Sequence, residues 1–254
     1  MGTEEDLKNV LGLVLFAYDF SDASRMVDLF TREHGRVRFV ARGAKRDKSK
    51  AVNLTQPFVV GSYQLVAGRT TYYFKDGHLE QAHYQLRASV RRLTAASFAC
   101  EALAAVLPEE GGAEPDLFDL MLAYFAALEK APDGKLRRLL SAFLFKLTAL
   151  AGFRPVLGRC LHCAASLQEP LAFDLREGGM VCALHAQPGA RPISTSCYQI
   201  LVSYIQAPLA WHLDQAGEEE AEAAAARIAL AYLQEQSGKN RFRSLPMLQR
   251  LGVL

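Results

Sequence analysis

The chain has 254 residues, half of them hydrophobic and 22% charged, with a formal net charge of +2. That is an ordinary globular balance with room for two compact units. Its five cysteines are odd in number, and three of them, Cys160, Cys163 and Cys182, fall within 23 residues, which argues against a secreted disulfide framework. The N-terminus is acidic where a signal peptide is basic, and the apolar run Val10–Tyr18 is too short to cross a bilayer. The expectation is a cytoplasmic protein with no membrane partner.

The first 80 residues read as β structure. Val10–Tyr18 is a buried strand and Arg25–Phe30 a second. A turn at His34-Gly35 leads into a third, in which Val37, Phe39 and Ala41 face one way and Arg36, Arg38 and Arg42 the other, because strand side chains alternate with period two. Gln56–Ala67 is a fourth strand, and Thr70–Phe74, after the turn signal Gly68-Arg69, a fifth. Five strands in so short a stretch suit a small closed barrel, of which the OB-fold is the commonest that handles nucleic acid.

The pattern then becomes helical. Leu86, Val90, Leu93, Cys100, Leu103 and Leu107 recur at helical steps before Pro108. Further helices are predicted at Asp116–Leu128, at Lys135–Leu150 (nearly all apolar, hence central), at Ser196–Ile205 after a cap at Ser194 or Thr195, and at Glu218–Gln236 with an acidic first turn. The fold class is therefore α+β: an N-terminal five-stranded barrel domain over residues 1–80, then a helical domain over 81–254 with a metal knuckle inserted at 158–187.

That knuckle reads Cys160-x-x-Cys163, eighteen residues, then Cys182-x-x-His185. Paired ligands at this spacing match a zinc ribbon or treble-clef-like knuckle, in which each turn supplies one edge of a tetrahedron and Zn²⁺ replaces a core that so short a segment cannot build. His162 is a competing ligand, but using it would leave the second pair short. Four protein ligands leave no open position, so the ion is structural. Cys100 and Cys197 lie on apolar helical faces and read as core.

Seven cations, Arg36, Arg38, Arg42, Lys45, Arg46, Lys48 and Lys50, crowd residues 36–50 against a single acid, Asp47. An arginine strand face running into a basic loop is an electrostatic footprint for phosphate; the plainer alternative is a solvated charged loop. Phe39, Tyr63, Tyr72, Tyr73 and Phe74 could offer stacking surfaces, although about half must fill the barrel. Arg87 and Arg91, one helical turn apart, could extend the patch. Gly68-Arg69-Thr70 has the wrong glycine spacing for a phosphate loop. No nucleophile elbow, zincin motif or dinucleotide fingerprint is present.

The segments Ser21–Arg25, Phe30–Arg36, Ala41–Arg46 and Gln56–Phe58 resemble the N-terminal signature of the RecO family, and Gly152–Pro155 and Lys239–Leu248 resemble later family segments. The resemblance implies an OB-fold domain and a non-enzymatic recombination mediator in DNA repair. Such a protein binds single- and double-stranded DNA, anneals complementary strands, and acts with RecR to help RecA replace single-strand-binding protein. Many relatives use four cysteines in the knuckle; here the last position is His185, which zinc also accepts. Without the resemblance, the alternative is a zinc-containing nucleic-acid-modifying enzyme, which would need an open metal position and a nearby general base.

Overall fold

The computed structural model describes residues 5–46, 49–107 and 111–254; Lys48 and Pro108 lie outside them. The chain divides into two compact units, one of residues 1–87 and 107–119 and the other of residues 88–106 and 120–254.

The first unit is a closed five-stranded barrel. Its strands are β1 (Leu7–Asp19), β2 (Arg25–Thr31), β3 (Gly35–Ala41), β4 (Val60–Ala67) and β5 (Tyr72–Gln81), in the order β1-β2-β3-β5-β4. All pairings are antiparallel except β3 with β5, which is parallel and joins Phe39 to Tyr72 and Val40 to Tyr73. The inward face is apolar at alternate positions: Val27, Leu29, Val37, Phe39, Tyr63 and Leu65 meet inside. A short helix, α1 (Ala51–Leu54), adds Ala51 and Leu54 to the same cluster, and the Tyr63 hydroxyl donates to the Leu54 carbonyl at 2.9 Å. Each large apolar side chain fully removed from water there contributes about 1.5–3 kcal/mol. The barrel ends at a short helix, α2 (Tyr84–Arg87).

Two strand limits differ most from the sequence reading. The fourth strand begins at Val60 rather than Gln56, since Pro57 has no N–H for a ladder and Phe58 turns with a φ of 71°. The fifth runs on to Gln81, through Asp76 and Gly77, and pairs with β4 across two irregularities in register. Barrel closure overrides the weak strand preference of those two residues.

The second unit is helical. Helix α3 (Val90–Val106) starts after Leu86, which belongs to α2, and its Val90 and Leu93 are 59% and 37% exposed. The predicted apolar stripe therefore holds from Cys100 onward rather than along its whole length. Helix α4 spans Pro115–Lys130, and α5 (Leu136–Leu150) is the central helix, with Leu139, Leu140, Phe143, Leu144 and Leu147 fully buried. Around it pack α3, α6 (Thr195–Gln206) and α7 (Glu219–Ser237). Ser194 caps α6 by accepting from the Cys197 N–H at 3.2 Å. Cys100 and Cys197 are fully buried, as read. A last short helix, α8 (Leu245–Arg250), was not foreseen. Nor was a three-stranded sheet of β6 (Leu171–Asp174), β7 (Gly179–Val181) and β8 (Arg191–Ile193), in the order β7-β6-β8.

Candidate metal centre and nucleic-acid interface

The small sheet places the cysteine cluster. Phe173 on β6 is fully buried, its ring 6.2 Å from Phe145 of α5 and 5.5 Å from Tyr232 of α7. Gly178 enters β7 with a φ of 76°, and a Cβ there would stand 2.5 Å from the Tyr232 hydroxyl, so only glycine fits. Strand β7 then anchors the first cysteine turn: the Leu161 N–H donates to the Met180 carbonyl at 2.9 Å. The turn closes through Ala164 N–H to Cys160 carbonyl at 3.0 Å, with Ala164 in the left-handed region at φ 57°. The second turn closes through His185 N–H to Cys182 carbonyl at 2.9 Å.

These turns bring together the four residues singled out from the sequence. The ligand atoms of Cys160, Cys163, Cys182 and His185 all lie within 4.8 Å of one another and could hold a metal ion. Cys163 Sγ is 3.9 Å from Cys182 Sγ, and His185 Nδ1 is 3.2 Å from Cys182 Sγ and 3.8 Å from Cys160 Sγ. Ordinary Zn–S and Zn–N bond lengths give tetrahedral edges of about 3.8 Å between sulfurs and about 3.6 Å between sulfur and nitrogen, so the donor set fits. Backbone N–H groups, that of Cys163 first and that of Cys182 next, pull the Cys160 thiol down to about 6, which favours the thiolate a metal needs. The competing ligand, His162, instead directs Nε2 to Glu177 at 3.4 Å.

The basic residues separate into two groups. Arg36 is held by the buried Asp28, with Nε 2.9 Å from Oδ1, and Arg38 reaches the same carboxylate at 3.7 Å. Arg87 donates to the carbonyls of Ala82, at 2.8 Å, and Pro57, and burial lowers its pKa. Lys45 pairs with Asp19 at 3.0 Å, Lys50 with Asp76 at 3.4 Å and Arg91 with Asp133 at 3.9 Å. Arg42 and Arg46 are exposed and have no carboxylate at ion-pair distance among the described residues. Arg42, just past the end of β3, lies over the Tyr73 ring at 4.6 Å.

The strand registers gather one more set at that end of the barrel. Asp19 pairs with Arg25, Arg25 with Ala41, and Ala67 with Tyr72. The β1–β2 loop and the segment after β3 therefore share an end, whereas the β4–β5 loop opens toward the start of β1, with the Ala67 N–H on Asp6 at 2.9 Å and the Thr71 hydroxyl on the Arg38 carbonyl at 3.1 Å. Tyr18 and Phe20 are 49% and 60% exposed at the first of these ends, and Arg69, also exposed, stands on the β4–β5 loop. The aromatics read from the sequence lie elsewhere in part: Phe39 and Tyr63 are fully buried, while Tyr72 and Tyr73 are partly exposed. Arg69, Tyr18 and Phe20 were missed because each sits alone in the sequence. The signal that finds them is the barrel topology, since the loops joining strands 1–2 and 4–5 carry the ligand contacts of OB-type barrels. No helix among the described residues is long and apolar enough to cross a membrane.

Comparison with known proteins covers nearly the whole chain. Residues 7–83 match the family described as "Recombination protein O N terminal" and residues 87–246 the family described as "Recombination protein O C terminal". The chain is 30% identical over 246 residues to the DNA repair protein RecO of Desulforudis audaxviator, covering 95% of this chain and 96% of that one. It is 33% identical over 200 residues to that of Pelotomaculum thermopropionicum, covering 78% and 77%. Against that of Symbiobacterium thermophilum it is 35% identical over 179 residues, covering 69% and 70%.

Proposed function

The chain belongs to the RecO family, and from that premise we propose that it is a cytoplasmic DNA-repair mediator that binds DNA through the loops of its barrel and does no covalent chemistry itself. The observation that carries this reading is that Arg42 and Arg46 share an end of the barrel with the exposed rings of Tyr18 and Phe20, while the exposed Arg69 stands on the β4–β5 loop, the other loop through which OB-type barrels hold nucleic acid. Unpaired cations hold phosphate and exposed rings accept bases without reading sequence. Lys45 and Arg38, each near one carboxylate, extend the surface. Arg36, Arg87, Lys50 and Arg91 contribute less, because their charges are already engaged within the chain. In this reading the barrel domain of residues 1–80 binds single- and double-stranded DNA. The whole chain anneals complementary strands and acts with RecR to let RecA displace single-strand-binding protein.

The metal is Zn²⁺, held by Cys160, Cys163, Cys182 and His185 in a site with no open position, so it shapes the knuckle and activates no water. Replacing Arg42, Arg46 and Arg69 together with Ala tests the interface. Each phosphate contact on a single strand contributes about 0.7 to the slope of log affinity against log salt, so the triple change flattens it by about 2. The folded chain should also anneal complementary strands without ATP. An unchanged slope in a folded triple variant removes these barrel loops from consideration.

A further inference from the structure

The last 19 residues of the chain hold four cations, Lys239, Arg241, Arg243 and Arg250, and no Asp or Glu. Three of the four fall on the irregular segment between α7 and α8. That segment is held at several points along its length. Gly238 turns the chain out of α7 with a φ of 66°. Gln234 Nε2 donates to the Asn240 carbonyl at 3.3 Å. Phe242 is 5% exposed, its ring set edge-on to Phe98 at 5.1 Å. The N–H groups of Arg243 and Ser244 donate to the two carboxylate oxygens of Glu101 at 2.5 and 3.1 Å.

The cations of the segment face solvent. Lys239, Arg241 and Arg243 are exposed, as is Asn240, while Phe242 is buried with Lys239 Nζ 5.6 Å from the centre of its ring. Among the described residues no carboxylate lies at ion-pair distance from any of the three cations. Their backbone is fixed before any ligand arrives, so little ordering entropy opposes binding.

We infer that Lys239–Arg243 is a second phosphate-binding segment, carried by the helical unit, that grips single-stranded nucleic acid separately from the barrel. The inference rests on the reading of the chain as a nucleic-acid-binding protein. Three cations within five residues suit a partner carrying a row of phosphate charge. The one apolar side chain of the segment points inward, so the segment lacks the buried aromatic or aliphatic anchor on which protein partners depend. Nucleic acid is therefore the occupant the observations favour over an acidic protein.

The test is a salt titration of full-length chain against a labelled oligothymidine strand, with Lys239, Arg241 and Arg243 changed together to Ala. The slope of log affinity against log salt should flatten by about 2 while the thermal midpoint holds. If the triple variant does not fold, Arg241→Gln alone carries the test, with a change of about 0.7. The barrel variant Arg42→Ala/Arg46→Ala/Arg69→Ala runs alongside. A silent barrel variant beside an affected segment variant sinks the barrel reading and leaves this one standing. Three results overturn the inference: a wild-type slope in the segment variant; a lowered thermal midpoint with the slope unchanged, which would make the cations partners of the α7 C-terminus; or loss of polyglutamate binding with the oligothymidine slope intact, which would make the segment a protein-docking surface.

Discussion

The barrel and the knuckle reach order by opposite routes. In the barrel, Val27, Leu29, Val37, Phe39, Tyr63 and Leu65 enclose an apolar interior, and the polar positions are left for loops. In the knuckle, residues 162–166 and 183–184 are exposed, and only the sheet behind them, through Phe173, Met180 and Val181, reaches a core. Among the four donor residues of the ligand turns, Cys160 alone is buried. Burial stabilises the barrel in proportion to area, whereas the knuckle depends on four donor atoms meeting at one point. The two regions should therefore fail under different insults.

The largest expected effect follows from removing the metal. A structural zinc in an isolated finger contributes about 10–16 kcal/mol of apparent binding free energy, and in the proposed site that energy would order the ligand turns within residues 158–187. Chelation, or Cys182→Ser, should release hydrogen-exchange protection in that stretch and leave β1 to β5 protected. Equal loss in both would mean that the two regions are not independently held.

Next in size is the converse insult. Phe39 is fully buried and touches the rings of Tyr63 and Phe74 at 5.8 and 6.1 Å. Phe39→Ala should cost the barrel about 3–5 kcal/mol, read by denaturant melting. The metal content of the folded fraction should stay at one ion per chain. A fall in metal content would refute the separation from the other side.

Acid sharpens the comparison further, because it attacks both the metal ligands and the helical frame that carries them. His212 is fully buried beside Tyr204, neither ring nitrogen has a hydrogen-bond partner among the described residues, and burial, with Arg138 and Lys146, pushes its pKa down to about 4. The unfolded chain takes up a proton near 6.5 and the folded chain only near 4. Stability is therefore complete above about 6.5 and falls as the pH drops through that window, by roughly 2–3 kcal/mol. His212→Phe should abolish that loss. The pH at which metal is released should not move, unless acid reaches the knuckle through its frame.

The smallest effect is at Ala164, whose φ of 57° closes the first ligand turn. Glycine tolerates that region where alanine is strained, so Ala164→Gly should stabilise the metal-loaded knuckle by about 1 kcal/mol, seen as slower metal transfer to a chelator.

How much of this was legible follows from how local each signal is. The ligand pairs are three residues apart and the arginines of β3 two apart, so both could be read directly from spacing. The apolar face of α5 repeats at helical steps and was equally plain. Strands β6 to β8 are three or four residues long, too short for a period to show. That Arg69 belongs to the same barrel surface as Arg42 and Arg46 depends on strand pairing across the barrel, which no local window contains. Arg36 and Arg87 read as surface cations because their partners, Asp28 and the Pro57 carbonyl, lie 8 and 30 residues away.

The parallel seam between β3 and β5 bears on how the barrel comes into being. Hairpin β2–β3 joins neighbours across a three-residue turn, whereas the seam joins Phe39 to Tyr72 and Val40 to Tyr73 across 33 residues and through only two pairs. Loop-closure entropy must be met before so distant a pairing gives anything back. The hairpins therefore form early and the seam last, and the seam is the first line along which the native barrel opens. Arg42 lies over Tyr73, the residue on that line. A strand of nucleic acid bridging Arg42 and Arg69 would hold the seam shut, so DNA should slow the barrel's unfolding rate more than it speeds folding.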